Sequence, residues 1–461
     1  MLNNQLKMKP LLLLLPLVLS NCATFSLDGG FNSVEKTTQN YIKQKPIWAN
    51  TTELKQAAAQ QASALLSKPL SADDAVQIAL LNNPQLQADF YALQIAEADV
   101  VQAGRLPNPK FGMLYARNNG DYKIEQILTF NIFALLTMPQ ASAVEKKLFA
   151  ATQNAASLQV LSLAYQTRNA YFYALGARES VKYLSQVKTS AEATAEFAKR
   201  MRAAGNFNKL ELAREQTYYS EAALDLAQAE NHQLQANEAL TRLLGLDDTT
   251  AFTLPARLPD LPKSSESLKT VNSDDFAKRL DLQQIKLNNE ALAAQLGLTK
   301  ITRFMNVLEI GPARVLEGRR GDPYKKGVEL SFELPIFDWG TAKVKRAEAS
   351  YMQAMHTATS QTMMAASEVR SQYNQYRTNF DVAKHYRDEI LPLRKRVLQE
   401  NLLRYNGMLI GPFDLMADAR AQVLSVNSYI EALRDFWIAD SDLTMSLIGK
   451  PSQFEVSKAE E

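Results

Sequence analysis

The sequence predicts a mainly α-helical chain with a small β portion, built from a helix–strand–strand–long helix–helix unit used twice. Three observations predict it. Long stretches rich in Ala, Gln, Leu and Glu read as helix, the first free of proline from about Ser142 to Arg202. Two short segments with period-two alternation precede the long helix in each half. The halves also register at one offset of 202 residues, which pairs Phe130 with Phe332, Arg168 with Arg370, Tyr171 with Tyr373, Arg202 with Arg404 and Gly205 with Gly407. Five identities at one offset, in matching elements, read as a duplication.

Composition agrees. Hydrophobic residues make up 46% of the 461, enough for a core, and 17 Gly with 17 Pro are too few for an all-β or disordered chain. Lys and Arg total 51 against 49 Asp and Glu, with no basic stripe, so no nucleic-acid partner is expected.

The elements follow in order. Lys7 and Lys9 precede an apolar run from Leu11 to Leu19 and then Ser20-Asn21-Cys22, which is the form of an export signal over residues 1–21. Cys22, the only cysteine, cannot form an internal disulfide. Leu19-Ser20-Asn21-Cys22 resembles a bacterial lipobox, in which the cysteine is acylated and becomes the first mature residue. Asn21 stands where such signals usually carry Gly, Ala or Ser, so an ordinary signal peptide with an incidental cysteine stays open. Ala23 at the next position implies sorting to the outer membrane. Residues 22–69 then form a polar, lipid-anchored segment of undefined structure.

The first repeat spans residues 70–250. Ser71 reads as an N-cap with Asp73 and Asp74 in the first turn. Asn82-Asn83-Pro84 interrupts that helix, which resumes to about Gly104. Alternating text covers Phe111, Met113 and Tyr115, then Ile124 to Ile132. The long helix follows, Asn206-Phe207-Asn208 breaks it, and a second helix runs to Gly245, a C-cap. After a linker at 251–275, the second repeat spans 276–450. It has a helix from about Phe276 to Lys300, a strand near Phe304–Ile310, a loop with Gly318, Gly321 and Pro323, and a strand from Gly327 to Ile336. A long helical segment covers Thr341 to Arg404, Asn406 to Pro412 breaks it, and a last helix reaches Gly449. Residues 451–461 form a tail.

The helices carry narrow apolar seams: Leu158, Leu161, Tyr165, Phe172 and Leu175 in one, and Val423, Val426, Ile430, Leu433, Trp437, Thr444 and Leu447 in another. Such seams suit side-by-side packing of long helices. A helix of about sixty residues is roughly 90 Å long, more than a compact domain holds. In the last strand, Val328, Leu330, Phe332 and Leu334 share one face, and Glu329, Ser331 and Glu333 the other. That pattern fits a barrel with lipid outside and water inside, and equally a half-buried soluble sheet. The mature chain has no apolar run long enough for a transmembrane helix, and the export signal favours the barrel. Four strands cannot close a membrane barrel, for which about eight are the familiar minimum, whereas three copies in a cyclic trimer would supply twelve.

The pattern as a whole resembles the TolC-type outer membrane factors of tripartite efflux and type I secretion. The resemblance is carried by Leu70-Ser71-Ala72-Asp73-Asp74-Ala75, Asn82-Asn83-Pro84-Gln85-Leu86, Arg105-Leu106-Pro107-Asn108-Pro109, Arg168 to Leu175 and Arg202-Ala203-Ala204-Gly205. In the second half it rests on Leu334 to Gly340, Arg404-Tyr405-Asn406-Gly407 and Leu447-Ile448-Gly449. It implies a trimeric twelve-stranded barrel in the outer membrane with an α-helical periplasmic tunnel. Hairpin tips at Ala203–Leu210 and Tyr405–Phe413 would dock a periplasmic adaptor, itself joined to an inner-membrane pump, with Arg202, Gly205, Arg404, Tyr405 and Gly407 at the contact. It further implies that Asp414, with Asp418 one turn later and Glu211 in the first repeat, rings a narrow aperture and favours cations. Complementing a helix N-terminus is the other reading of these acids. Two departures stand out: Gly411-Pro412 adds a break at the second tip, and Arg279-Leu280-Asp281 replaces the usual Arg-Pro-Asp.

No enzyme or cofactor is expected beyond a covalent lipid on Cys22. His232, His356 and His385 each stand alone on helical text, and Asp28-Gly29-Gly30 lacks the context of a phosphate loop. Met363-Met364 reads as packing. A periplasmic coiled-coil lipoprotein without a pore, and a type I protein-secretion duct, are the alternatives.

Overall fold

A computed structural model describes residues 24–247, 252–262, 278–304, 307–319 and 321–451. The export signal, Cys22, most of the linker and all but Pro451 of the tail lie outside these. The chain divides into two compact units. One takes the chain up to Val34 with Tyr91–Ala156 and Leu282–Thr362, and the other takes Glu35–Phe90, Ser157–Asp281 and the chain from Met363.

The segment expected to be undefined is folded. It holds α1 (Phe31–Gln39) and α2 (Thr52–Leu66). In the second unit, extended residues between them pair with two glutamines as if with a strand. Gln77 accepts from Lys45 N–H and donates to Lys45 C=O, and Gln87 does the same for Ala49 and Ile47, at 2.8 to 3.2 Å. Trp48 is buried beside Phe90. Sequence periodicity misses such a segment because its partners are side chains, not a ladder.

The first repeat contains α3 (Ala72–Asn82), α4 (Pro84–Ala103), β1 (Lys110–Asn118), β2 (Asp121–Asn131), α5 (Ile132–Ala203) and α6 (Lys209–Leu244). Ser71 caps α3 reciprocally with Asp74, and Gly245 closes α6 in the left-handed region. The second repeat contains α7 (Leu280–Thr302), β3 (Leu308–Gly318), β4 (Lys325–Phe332), α8 (Thr341–His385), a π-helical turn (Tyr386–Ile390), α9 (Leu391–Asn406) and α10 (Pro412–Ile448). The seam residues of α5 are all buried, and Phe172 stacks on Trp437 of α10 at 5.8 Å.

Three boundaries differ from expectation. Helix α5 begins at Ile132, not Ser142: Asn131 caps it by accepting from Ala134 N–H, and Pro139 is carried inside. Strand β3 lies at Leu308–Gly318, not Phe304–Ile310. Its Gly311-Pro312 reads as a breaker, yet a Cβ at 311 would come within 1.7 Å of the Leu128 carbonyl, so glycine is what lets β2 approach. Strand β4 stops at Phe332, before Pro335, rather than reaching Ile336. The helical segment expected over Thr341 to Arg404 runs without a gap to Asn406, with the π-helical turn inside it.

Candidate functional site

The four strands form one antiparallel sheet in the order β1-β2-β3-β4. Asn119-Gly120, both at positive φ, makes the two-residue turn of the first hairpin, a signal present in the sequence but overlooked there. The β2–β3 ladder runs from Tyr122 to Ile127 and resumes at Phe130, skipping Gly311-Pro312 on the partner strand.

Register sorts the side chains onto two faces. Phe111, Met113, Tyr115, Ile124, Leu128, Phe130, Ile310, Val328, Leu330 and Phe332 share one face. Eight of these ten stand exposed, the exceptions being Ile124 and Leu128. All five strand acids, Asp121, Glu125, Glu309, Glu317 and Glu329, lie on the other. There Lys110 pairs with Glu309 at 2.6 Å, Lys123 with Glu125 at 2.9 Å and Lys325 with Glu317 at 3.5 Å. An apolar face opposite an ion-paired one is what a sheet between lipid and water requires. Its outer strands β1 and β4 have no further strand beside them among the described residues.

The hairpin tips fall where expected, between α5 and α6 and between α9 and α10. At the first, Gly205 (φ +78°) donates to Arg202 C=O and Asn206 to Met201 C=O. The Arg202 side chain donates to Phe207 C=O at 2.8 Å. At the second, Met408 (φ +58°) donates to Tyr405 C=O and Leu409 to Arg404 C=O. The left-handed position equivalent to Gly205 is therefore Met408. Arg202/Arg404 and Gly205/Gly407 share an offset but not a place in the turn, because the second repeat has gained one residue by its tip. The π-helical turn at Tyr386–Ile390 is how a helix absorbs one extra residue.

At the tips the sheet-level offset of 202 has become 203, which aligns Asn208 with Gly411, Glu211 with Asp414 and Glu215 with Asp418. Glu211 and Asn208 cap each other's N–H at 3.3 and 2.8 Å. Asp414 accepts from Gly411 N–H at 3.3 Å and is otherwise exposed. Asp418 accepts from the Asn401 amide. Sequence reading missed Glu215: it is buried and ion-paired with Arg420, whose guanidinium lies 3.9 Å over the Tyr218 ring. Its signal was the one-residue shift, which makes it the partner of Asp418. Burial holds the Tyr218 phenol above its ordinary value, with Arg420 working the other way.

Arg279, the other departure, is buried. It grips Asp281 through two hydrogen bonds at 2.6 and 3.0 Å and reaches Glu368 at 3.3 Å and the Ser446 carbonyl. Among the described residues, no His, Cys, Asp and Glu gather as a metal cluster, and no helix is long and apolar enough to cross a membrane.

Residues 75–246 match the family model described as outer membrane efflux protein. No curated protein matches the chain by sequence. Solved structures do match in fold. A membrane protein from Pseudomonas aeruginosa has a TM-score of 0.70 at 19% identity, over 82% of this chain and 93% of that one. The open state of the Neisseria gonorrhoeae MtrE outer membrane channel gives 0.68 at 19%, over 83% and 91%. CusC, described for its folding and transmembrane channel formation, gives 0.66 at 18%, over 85% and 92%. Residues 75–246, within the first repeat, thus carry the pattern of the outer membrane efflux protein model, and the fold shared with these solved structures extends over both repeats.

Proposed function

We propose that the chain is one protomer of a homotrimeric exit duct, a passive conduit in the outer membrane coupled through a periplasmic adaptor to an inner-membrane pump. The observation that carries this is the sheet. Open strand edges cannot sit in lipid, since their backbone groups would go unsatisfied, and four strands are too few to close. Three copies give twelve strands, with ion-paired faces inward and apolar faces outward. The adaptor would meet the tips around Arg202, Gly205, Arg404, Tyr405 and Gly407. Three copies of Asp414, supported by Asp418 and Glu211, would make an acidic ring favouring cations. Asp414 suits that role because one long hydrogen bond leaves most of its carboxylate free. An acyl chain on Cys22 would anchor the mature N-terminus.

The test is the native mass of the detergent-extracted mature protein, followed by its denatured protomer mass. A trimer carrying acyl mass supports duct and anchor together. A lipid-free monomer would overturn both and favour a coiled-coil scaffold. Cys22→Ala should weaken membrane attachment and leave the trimer assembled. Asp414→Ala should raise leak conductance or shift cation selectivity in planar bilayers, and unchanged currents would remove the acidic ring.

A further inference from the structure

The apolar face of the sheet carries charge of one sign only. Its strand residues include three cations, Arg117, Arg314 and Lys326, and no carboxylate, since every strand acid lies on the opposite face. Arg117 pairs with Tyr122 in the penultimate pair of the first hairpin, and Arg314 pairs with Lys326 in the penultimate pair of the second. Arg117 therefore sits beside the first turn, while Arg314 and Lys326 lie level with Gln126, four residues further along β2 from that turn than Tyr122.

Their surroundings are tyrosines and an amide. The Arg117 guanidinium lies 5.3 Å from the Tyr122 ring centroid, and Tyr115 and Tyr122 are 6.1 Å apart. Arg314 donates through Nε to Gln126 at 2.6 Å and lies 5.3 Å from the Tyr324 ring centroid. Tyrosine at the end of a lipid-facing strand marks the level of the headgroups, and long cationic side chains reach the same level by extending along the strand. Arg314 and Lys326 are like charges directly opposite on adjacent strands, an arrangement that disfavours pairing unless an anion lies between them.

We propose that Arg117, Arg314 and Lys326 form a binding belt for the phosphate of anionic lipid headgroups on the membrane-facing side of the barrel. The inference rests on the outer-membrane duct reading. Arg314 offers a planar fork to the phosphate, Lys326 a point charge, and Gln126 and the tyrosines orient the fork. Closing the barrel with three copies repeats the set around the rim.

The test is reconstitution of the full mature chain into vesicles of phosphatidylcholine alone or with added phosphatidylglycerol. Trimer melting is followed, and bound lipid is read by native mass spectrometry. Wild type should melt higher with phosphatidylglycerol and retain it in excess over its share of the bilayer. Arg117→Gln/Arg314→Gln/Lys326→Gln should lose both effects while melting in phosphatidylcholine no lower than wild type, because a like-charge pair has gone. Arg314→Lys should keep most of the preference, and Lys123→Gln, on the opposite face, all of it. Equal melting of wild type in both bilayers, or a preference that survives the triple substitution, would overturn the belt. Failure of wild type to insert into either bilayer would instead overturn the duct reading.

Discussion

At the first hairpin tip the left-handed residue is Gly205, the N-cap is Asn208, and the acid two turns further on, Glu215, is buried against Arg420. At the second tip the same three places hold Met408, Gly411 and Asp418. Met408 is bulky and exposed, Gly411 has no side chain to cap with, and Asp418 meets only an amide among its recorded partners. One turn motif is thus built twice, well supported once and poorly once. The difference teaches that duplication conserved the backbone path while the local interactions diverged. If the second tip is the one that opens or engages a partner, its weakness is functional: local opening draws on the least stable segments.

The largest expected effect tests whether the first tip props up the second. Phe207 is buried in the first turn, with its ring 4.4 Å from that of Phe413 in α10. Phe207→Ala should cost about 3 kcal/mol, the usual cost of truncating a buried ring. Hydrogen exchange should then quicken at both tips. Quickening at the first alone would mean the two are energetically separate.

Next in size are the paired acids. Glu215→Ala leaves the Arg420 guanidinium facing a buried site without its counter-charge. Arg420 retains a quarter of its side-chain exposure, so the cost should be about 2 to 3 kcal/mol, below that of a fully buried pair. Asp418→Ala loses one hydrogen bond and should cost about 1 kcal/mol. Urea midpoints of the detergent-solubilised protein would rank them, and equal losses would erase the distinction between the tips.

Much of this architecture was legible in the sequence, and the failures have physical causes. The long helices, the seam through Leu158 to Leu175 and both tips follow from periodicity and breakers, which are local. Strand β3 was misplaced because Gly311-Pro312 is a breaker by composition and a tolerated approach point in the sheet. The start of α5 was missed because Pro139 reads as a breaker although the helix carries it two turns inside, and because its cap, Asn131, is itself a strand residue. Glu215 was missed because its partner lies over two hundred residues away, and because a single inserted residue, taken up by the π-helical turn, displaced the register. The faces of the sheet were half legible: alternation in β4 was plain, while the segregation of all strand acids onto one face needed the pairing.

Smaller effects separate backbone strain from side-chain use at the turn. Gly205→Ala places a Cβ on a left-handed residue and should destabilise by about 1 kcal/mol. Met408→Gly relieves the same strain and should stabilise the tip by about 1 kcal/mol if the methionine does nothing else. A variant that is more stable yet transports less would show that Met408 is kept for what its exposed side chain touches. A variant that is more stable and fully active would show that the strain is incidental.

The smallest effect asks whether the missing cap matters. Asn208 accepts from Glu211 N–H at 2.8 Å, so Asn208→Ala should cost about 1 kcal/mol. Gly411 has φ −77°, which any residue adopts, and a Cβ there would meet only the Asp414 carboxylate at 3.8 Å. Gly411→Ser should therefore add a cap without strain and stabilise α10 by a few tenths of a kcal/mol, about the difference between glycine and serine at that position. A serine would also offer its hydroxyl to the Asp414 carboxylate, as Ser71 does to Asp74 at 2.8 Å. If the acidic ring depends on that carboxylate being free, Gly411→Ser should weaken cation selectivity while raising stability. A rise in stability with selectivity unchanged would mean that Asp414 serves the helix end and not the aperture.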